Sequence, residues 1–299
     1  MIDDTLLKVG IKTNYHKIYK KSLWLVLGWL IIVIFMNYGM ALWMNTELNY
    51  NILAAMCIFL MRNYFTYINI LNDLIIGSIL GYIRLKFDQV NRYLLNLSKD
   101  NKFQIEWASE NQVLLSHQHR FLKSPSNERM IWILIHLYLE LRKISYDINS
   151  IFGTQMTFKM GCYFFWLALD LREIFSLILT NNFVKDNIRV LYTITILLWI
   201  LLDVSKLFLI NYMCETVSAK ANATGNLINR MQYFTYNIEI RENISQLLLQ
   251  MTQMPVRFYG IGLFQFGYKF LQGFSSSITT VLVLLIQKHI NKQTSIKNE

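Results

Sequence analysis

From Ser22 to Trp43 the chain runs for about 22 residues without one charged side chain, with Lys20 and Lys21 at its start. A helix of that length and character is long enough to cross the hydrocarbon core of a bilayer, and the terminal Trp suits the interface. No other single feature limits the fold as strongly, because a backbone crossing lipid must satisfy its own hydrogen bonds as helix or closed barrel. Composition agrees: hydrophobic residues make up 54% and charged residues 16%, with only 2 Pro. Ordinary soluble domains sit near about 45–50% and about 25%. The expected class is an all-α, polytopic transmembrane protein.

Four further apolar blocks follow. Ile52 to Ile83 is too long for one perpendicular span and carries Arg62 and Asp73. Read as one helix, it puts those two on one face, about 16 Å apart along the axis. A third block starts at Ile131 as an amphipathic helix and is strongly apolar from Ile148 to Leu169, with Lys159 inside. The fourth, Val190 to about Ile210, contains Asp203 and Lys206 at an i,i+3 spacing, which predicts a structural ion pair on one face. The last, Phe258 to Gln287, carries Lys269 and is interrupted near Gly273 and Ser275 to Ser277. That makes about five spans.

The net charge of +10 does not point to nucleic acid, because the basic residues alternate with long apolar blocks. They read instead as inside loops. Residues 1–21 hold five Lys, 84–129 hold eight Lys/Arg and 214–257 hold four, whereas the short loop around Glu47 holds none and 170–189 holds three. The positive-inside rule then puts the N-terminus in the cytoplasm and, after five crossings, the C-terminus outside. The expected organisation is a cytoplasmic N-terminal segment (1–21), two spans with a short outer loop (22–83) and a cytoplasmic loop (84–130). Two more spans with a cytoplasmic helical extension follow (131–213), then a cytoplasmic helical anchor (214–257). The last helix is 258–288, and 289–299 is an outer tail. The sequons at Asn96, Asn222 and Asn243 would face the cytoplasm and stay unglycosylated. Nothing at the start reads as a signal peptide.

Chemical signatures are few. Cys57, Cys162 and Cys214 show no metal-like spacing and no disulfide framework. His117 and His119 form a lone His-x-His in a polar loop, and two ligands do not make a metal site. There is no HExxH, paired-carboxylate or Gly-rich motif, so no enzyme is expected, and no cofactor.

The last block carries more than hydropathy. Gly262-Leu263-Phe264, followed by Ser277-Ile278-Thr279-Thr280-Val281-Leu282-Val283-Leu284-Leu285-Ile286-Gln287, resembles the C-terminal signature of insect gustatory receptors. That signature is a Gly-x-Phe element, a gap, Thr-Tyr, five hydrophobic residues and Gln-Phe. Val281 stands where the family has Tyr, and Lys288 where it has Phe. His136, Leu139, Asn149 and Phe152-Gly153, and the approach from Leu247 through Met254-Pro255-Val256-Arg257-Phe258, are similar more loosely. The resemblance is specific over roughly Ile131 to Lys288.

It implies a seven-helix receptor with its N-terminus inside. The five spans here look like helices three to seven, and losing two keeps the orientation read from charge. It further implies a gustatory chemoreceptor in the plasma membrane of sensory neurons: a ligand-gated, non-selective cation channel opened by a small-molecule tastant. Four like or related subunits would surround one pore, among membrane lipid, with the half-helix 274–288 lining it. Gln287 would stand at the constriction, with Thr280 and Leu284 along the same helix. Lys288 would repel cations if it faced the pore, so snorkelling to the interface is the better reading. Gly262, Phe264 and Gly273 fit a bend and anchor of the last helix. Ligand-binding residues are not legible. Arg62, Asp73 and Lys159 fit either a water-filled cavity or positions near an interface. Other readings are an odorant receptor-like channel subunit, a non-conducting receptor fragment, or a secondary transporter, although no internal repeat supports the last.

Overall fold

The computed structural model describes residues 15–49, 51–110, 125–179, 187–232 and 238–297. Among them the chain forms seven helices: α1 Tyr15–Leu48, α2 Ile52–Arg62, α3 Tyr64–Glu110, α4 Pro125–Leu179, α5 Asn187–Gln232, α6 Ile238–Gln253 and α7 Tyr268–Lys297. Between α6 and α7 lies an antiparallel hairpin of β1 Tyr259–Gly260 and β2 Phe264–Gln265, pairing Tyr259 with Gln265 and Gly260 with Phe264.

Local chemistry explains several boundaries. After α1 the chain reverses at Asn49, whose φ of 53° is the left-handed conformation that Asn tolerates at helix ends. Asn51 then starts α2 by accepting from the Leu53 N–H at 3.3 Å. Among the described residues, four helices are long and apolar enough to cross a membrane, at Leu23–Asn45, Thr66–Ser98, Tyr192–Gln232 and Tyr268–Lys288. The expected span in α4, Ile148 to Leu169, is not among them. Asn149, Ser150, Thr154, Gln155, Thr157 and Lys159 dilute its apolar character.

Other expectations need correction. The block Ile52–Ile83 is not one helix, because Asn63 (φ −93°, ψ 4°) breaks it between α2 and α3. Arg62 and Asp73 therefore do not share a helix, and the Arg62 side chain lies outside the described residues. The polar stretch after Arg84 is helical as far as Glu110, since α3 continues without a Gly or Pro beyond Gly81. The last helix begins at Tyr268 and not near Phe258, because residues 259–265 pair as the hairpin. His117 and His119 lie outside the described residues.

The chain divides into two compact units. Of the described residues, one comprises 79–110, 125–153, 213–232 and 238–266. Its core is built from Phe87, Leu94, Leu134, Tyr138, Phe258 and Phe266, with Tyr138 meeting Phe87 edge-on at 5.9 Å. Burying each such side chain is worth about 1.5–3 kcal/mol. Burial also pushes the Tyr138 phenol up to about 12, so it stays neutral at physiological pH. Helix α6 presents Ile240, Ile244, Leu247 and Met251 to this core at helical spacing. Polar contacts tie α3 to α5: Lys220 Nζ reaches Asp88 at 2.5 Å, and Thr224 donates to Asn91 at 2.7 Å. The second unit comprises, of the described residues, 15–49, 51–78, 154–179, 187–212 and 267–297. Met36, Ala41, Ala55, Ile76 and Ile210 are buried in it, while Trp24, Ile31, Phe35, Phe165 and Leu201 point outward. A broad apolar exterior of that kind suits lipid.

Candidate functional site: the last helix, its hairpin and a buried charge network

The hairpin before α7 is specified by its neighbours in the first unit. Asn149 of α4 accepts the Tyr259 N–H at 2.9 Å, and Tyr146 donates to the Met254 carbonyl at 3.0 Å. Gly153 lies under the same strand: a Cβ there would come within 2.9 Å of the Tyr259 carbonyl oxygen, closer than side chains tolerate. Asn149 and Gly153, both part of a pattern visible in the sequence, therefore form the seat of β1. At the tip, Ile261 (φ 50°) and Gly262 (φ 72°) turn the chain, and the Leu263 N–H donates to the Gly260 carbonyl at 2.9 Å. Phe264 sits in β2 and packs edge-on against Phe266 at 5.2 Å. Gly262 and Phe264 thus belong to a hairpin tip and strand, and not to a helix bend.

Helix α7 belongs to the second unit, and only Phe274 of its described side chains is buried. Phe274 meets Phe164 of α4 edge-on at 5.6 Å. Leu271, Ile278, Leu282 and Leu285 share that side and are half-buried. At about 100° per residue, Gly273, Ser276, Leu284 and Gln287 fall within about 40° of Thr280 on the opposite side. All five are exposed. The outward side of α7 thus carries a stripe of Gly273, Ser276, Thr280 and Gln287 together with the apolar Leu284; Lys269, at the start of the helix, falls on the same side, and Ser275, Ser277 and Thr279 are exposed beside it. Lys288 lies about 80° from Thr280, at the edge of the stripe and exposed.

The interruption expected at Gly273 is absent, as α7 runs through it unbroken. The hydroxyls explain this. Ser277 donates to the Gly273 carbonyl at 2.9 Å and Thr280 to the Ser276 carbonyl at 3.0 Å, so they satisfy themselves on their own helix. A hydroxyl donating inward keeps oxygen lone pairs available outward.

A second cluster lies deeper in this unit. Lys159 of α4 binds Asp73 of α3 at 2.5 Å and donates to the Asn69 carbonyl at 3.1 Å. Tyr163 donates to the other Asp73 oxygen. Lys206 pairs with Asp203 at 2.7 Å and stands over the Tyr163 ring at 5.7 Å. Two carboxylates and two ammonium groups are joined through one tyrosine, and Asp73 and Lys159 are only 3% and 6% exposed. Asp73 and Lys159 neutralise one another, rather than each facing a cavity or interface alone. Asp203 and Lys206 form the structural pair that their spacing predicts. Asn37 and Tyr67 add a further polar pair, Tyr67 donating to Asn37 Oδ1 at 2.7 Å.

Asn211 of α5 is fully buried and was not evident from the sequence. Its Oδ1 accepts the Gly267 N–H at 3.0 Å, and its Nδ2 donates to the Leu207 carbonyl at 2.8 Å. Among the described residues no group of three or more His, Cys, Asp or Glu is placed to hold a metal ion.

The chain matches the model of the 7tm chemosensory receptor family over residues 2–292. It is similar to gustatory receptor 68a of Drosophila melanogaster, 24% identical over 162 residues that cover 54% of this chain and 41% of that receptor. Gustatory and pheromone receptor 32a of the same organism is 25% identical over 154 residues, 52% of this chain and 32% of that one. Each alignment thus spans less than half the length of the relative. The solved insect olfactory receptor OR5 from Machilis hrabei matches with a TM-score of 0.58 at 12% identity, over 91% of this chain and 67% of that one. That likeness speaks for the fold: all-α, helical and membrane-spanning. The matched family, the curated relatives and the fold agree with the residues read first, and the chain is a member of the insect chemosensory receptor family.

Proposed function

We propose that this chain is a gustatory receptor subunit, a ligand-gated and non-selective cation channel of the sensory-neuron plasma membrane that responds to a small-molecule tastant. The observation that carries the reading is the stripe Gly273, Ser276, Thr280, Leu284 and Gln287 on the outward side of α7. Against lipid the Gln287 amide and the outward lone pairs of Thr280 would meet only hydrocarbon, whereas around a shared aqueous axis that side would line the path. Four like or related subunits, each contributing one α7, give such an axis. Gln287 stands at the constriction and, with Thr280, offers uncharged oxygens to a passing cation, and Leu284 lines the same helix between them. Lys288, at the stripe's edge, snorkels to the headgroups.

In this reading α4 is the fifth span, its Lys159 charge neutralised by Asp73 of an adjoining span. The N-terminus and the regions 84–130 and 214–257 lie in the cytoplasm, and the residues after 288 lie outside. Ligand binding drives opening only through a higher affinity for the open arrangement. The two curated gustatory relatives favour the taste branch over an odorant receptor-like subunit.

The test is voltage-clamp recording from cells expressing the chain during a tastant screen. Gln287→Ala and Gln287→Glu should alter conductance or relative cation permeability. Unaltered conductance, selectivity and gating in both would remove Gln287 from the pathway.

A further inference from the structure

Helix α7 starts at an unusual joint. Gly267 immediately precedes it with φ 142°, a conformation open to glycine and strained for any residue with a side chain. Its carbonyl accepts the Leu271 N–H at 3.2 Å, so Gly267 is the cap from which the first turn of α7 hangs. The boundary between the two compact units falls between Phe266 and Gly267. The Gly267 N–H donates to Asn211 Oδ1 at 3.0 Å, and both residues are buried. Asn211 is itself held in place. Its Nδ2 donates to the Leu207 carbonyl one turn back at 2.8 Å and lies 3.9 Å from the Met160 sulfur of α4. Lys206 and Asp203 stand one and two turns before it on α5, so the buried charge pair and this amide share one rigid helix.

We propose that Asn211 is a positioning residue: its side chain latches the glycine joint at Gly267, so that the placement of α5 sets the rotation of α7. The proposal rests on reading α7 as the helix that lines the ion path. An amide is suited to the task, because one end accepts the joint's N–H while the other fixes the side chain to its own helix. A glycine is suited because rotation about the joint meets no Cβ. Without the latch, α7 loses its reference to α5, and the stripe around Thr280 samples other angles.

The test uses the full chain in two measurements. The first is hydrogen exchange of the purified protein at the amides of residues 267–271. Asn211→Leu keeps the volume and removes both hydrogen bonds, and should speed exchange there by about tenfold, the worth of one buried hydrogen bond. The amides of α6 should be unchanged. The second is the rate at which methanethiosulfonate ethyltrimethylammonium modifies Thr280→Cys in cell membranes, with Cys57 and Cys162 replaced by Ser. Asn211→Leu should change that rate by about tenfold, whereas Asn211→Asp, which keeps the acceptor, should stay within about threefold of the parent.

Unchanged exchange at 267–271 overturns the latch. Faster exchange with an unchanged modification rate makes Asn211 a structural residue only, which also overturns the proposal. If no reagent reaches Thr280→Cys in any background, the pathway reading of α7 fails on its own, and the exchange result alone then decides the latch.

Discussion

The hairpin and helix α7 come from one apolar block, yet they meet their polar groups in opposite ways. The hairpin is served from within the chain: Asn149 accepts from Tyr259, Tyr146 donates to Met254, and Gly153 leaves room for the strand. The charge network is served in the same way, with Asp73, Lys159, Tyr163, Asp203 and Lys206 meeting one another. Helix α7 buries only Phe274 among its described side chains and turns Thr280, Leu284 and Gln287 outward. A polar side chain turned inward and satisfied contributes to folding. A stripe turned outward on a membrane helix contributes little to the fold of one chain: Thr280 is satisfied on its own helix, and the exposed oxygens of Thr280 and Gln287 are left for water or another subunit to meet. Substitutions in the two kinds of region should therefore have different consequences.

The largest effect is expected in the charge network. Lys159→Met leaves the Asp73 carboxylate buried beside a single tyrosine donor and should cost about 3–5 kcal/mol. Adding Asp73→Asn should recover most of it, since a neutral amide still accepts from Tyr163. Thermal unfolding in detergent reads both. No recovery in the double variant would mean that the pair stabilises by more than neutralising its own charges.

Next comes a matched pair of glycines. Gly153→Ala places a Cβ against the Tyr259 carbonyl and should cost about 1–3 kcal/mol. Gly273→Ala meets no atom within 4 Å and, inside a helix, should be neutral or stabilising by up to about 1 kcal/mol. Equal losses at both sites would erase the contrast between anchor and stripe. Asn149→Ala removes one hydrogen bond from β1 and should cost about 1 kcal/mol in the same melt.

The smallest effect on stability is expected at the stripe. Thr280→Val and Gln287→Leu should each shift unfolding by no more than about 0.5 kcal/mol, as for other outward positions. The same two variants should reduce or abolish cation current. Strong destabilisation of the isolated subunit by either one would show that the stripe is packed within its own chain.

Much of this architecture was legible in the residues, for reasons that also explain what was not. Ser22 to Trp43 announces its helix because nothing in it interrupts the hydropathy. Asp203 and Lys206 announce their pair because an i,i+3 spacing puts them on one helix face. Lys159 and Asp73 are 86 residues apart, and no local rule joins residues so distant. The break at Asn63 carries neither Pro nor Gly. The hairpin has strands of two residues each, too short for an alternation of polar and apolar side chains to register. Gly262 was visible as a special position, but only the backbone shows that it turns a hairpin and does not bend a helix. Asn211 was hidden for a similar reason. It sits in an apolar helix, and its partner, the Gly267 N–H, is backbone and leaves no mark on the sequence.

The outward stripe of α7 is the centre of this account, and assembly tests it most directly. Light scattering of the chain in detergent, with the detergent contribution subtracted, gives the protein mass. A mass near four copies of the 35.5 kDa chain is the predicted result, with four α7 helices sharing one axis. A mass of one copy would contradict the account, because the stripe of Thr280, Leu284 and Gln287 would then have no other subunit to face.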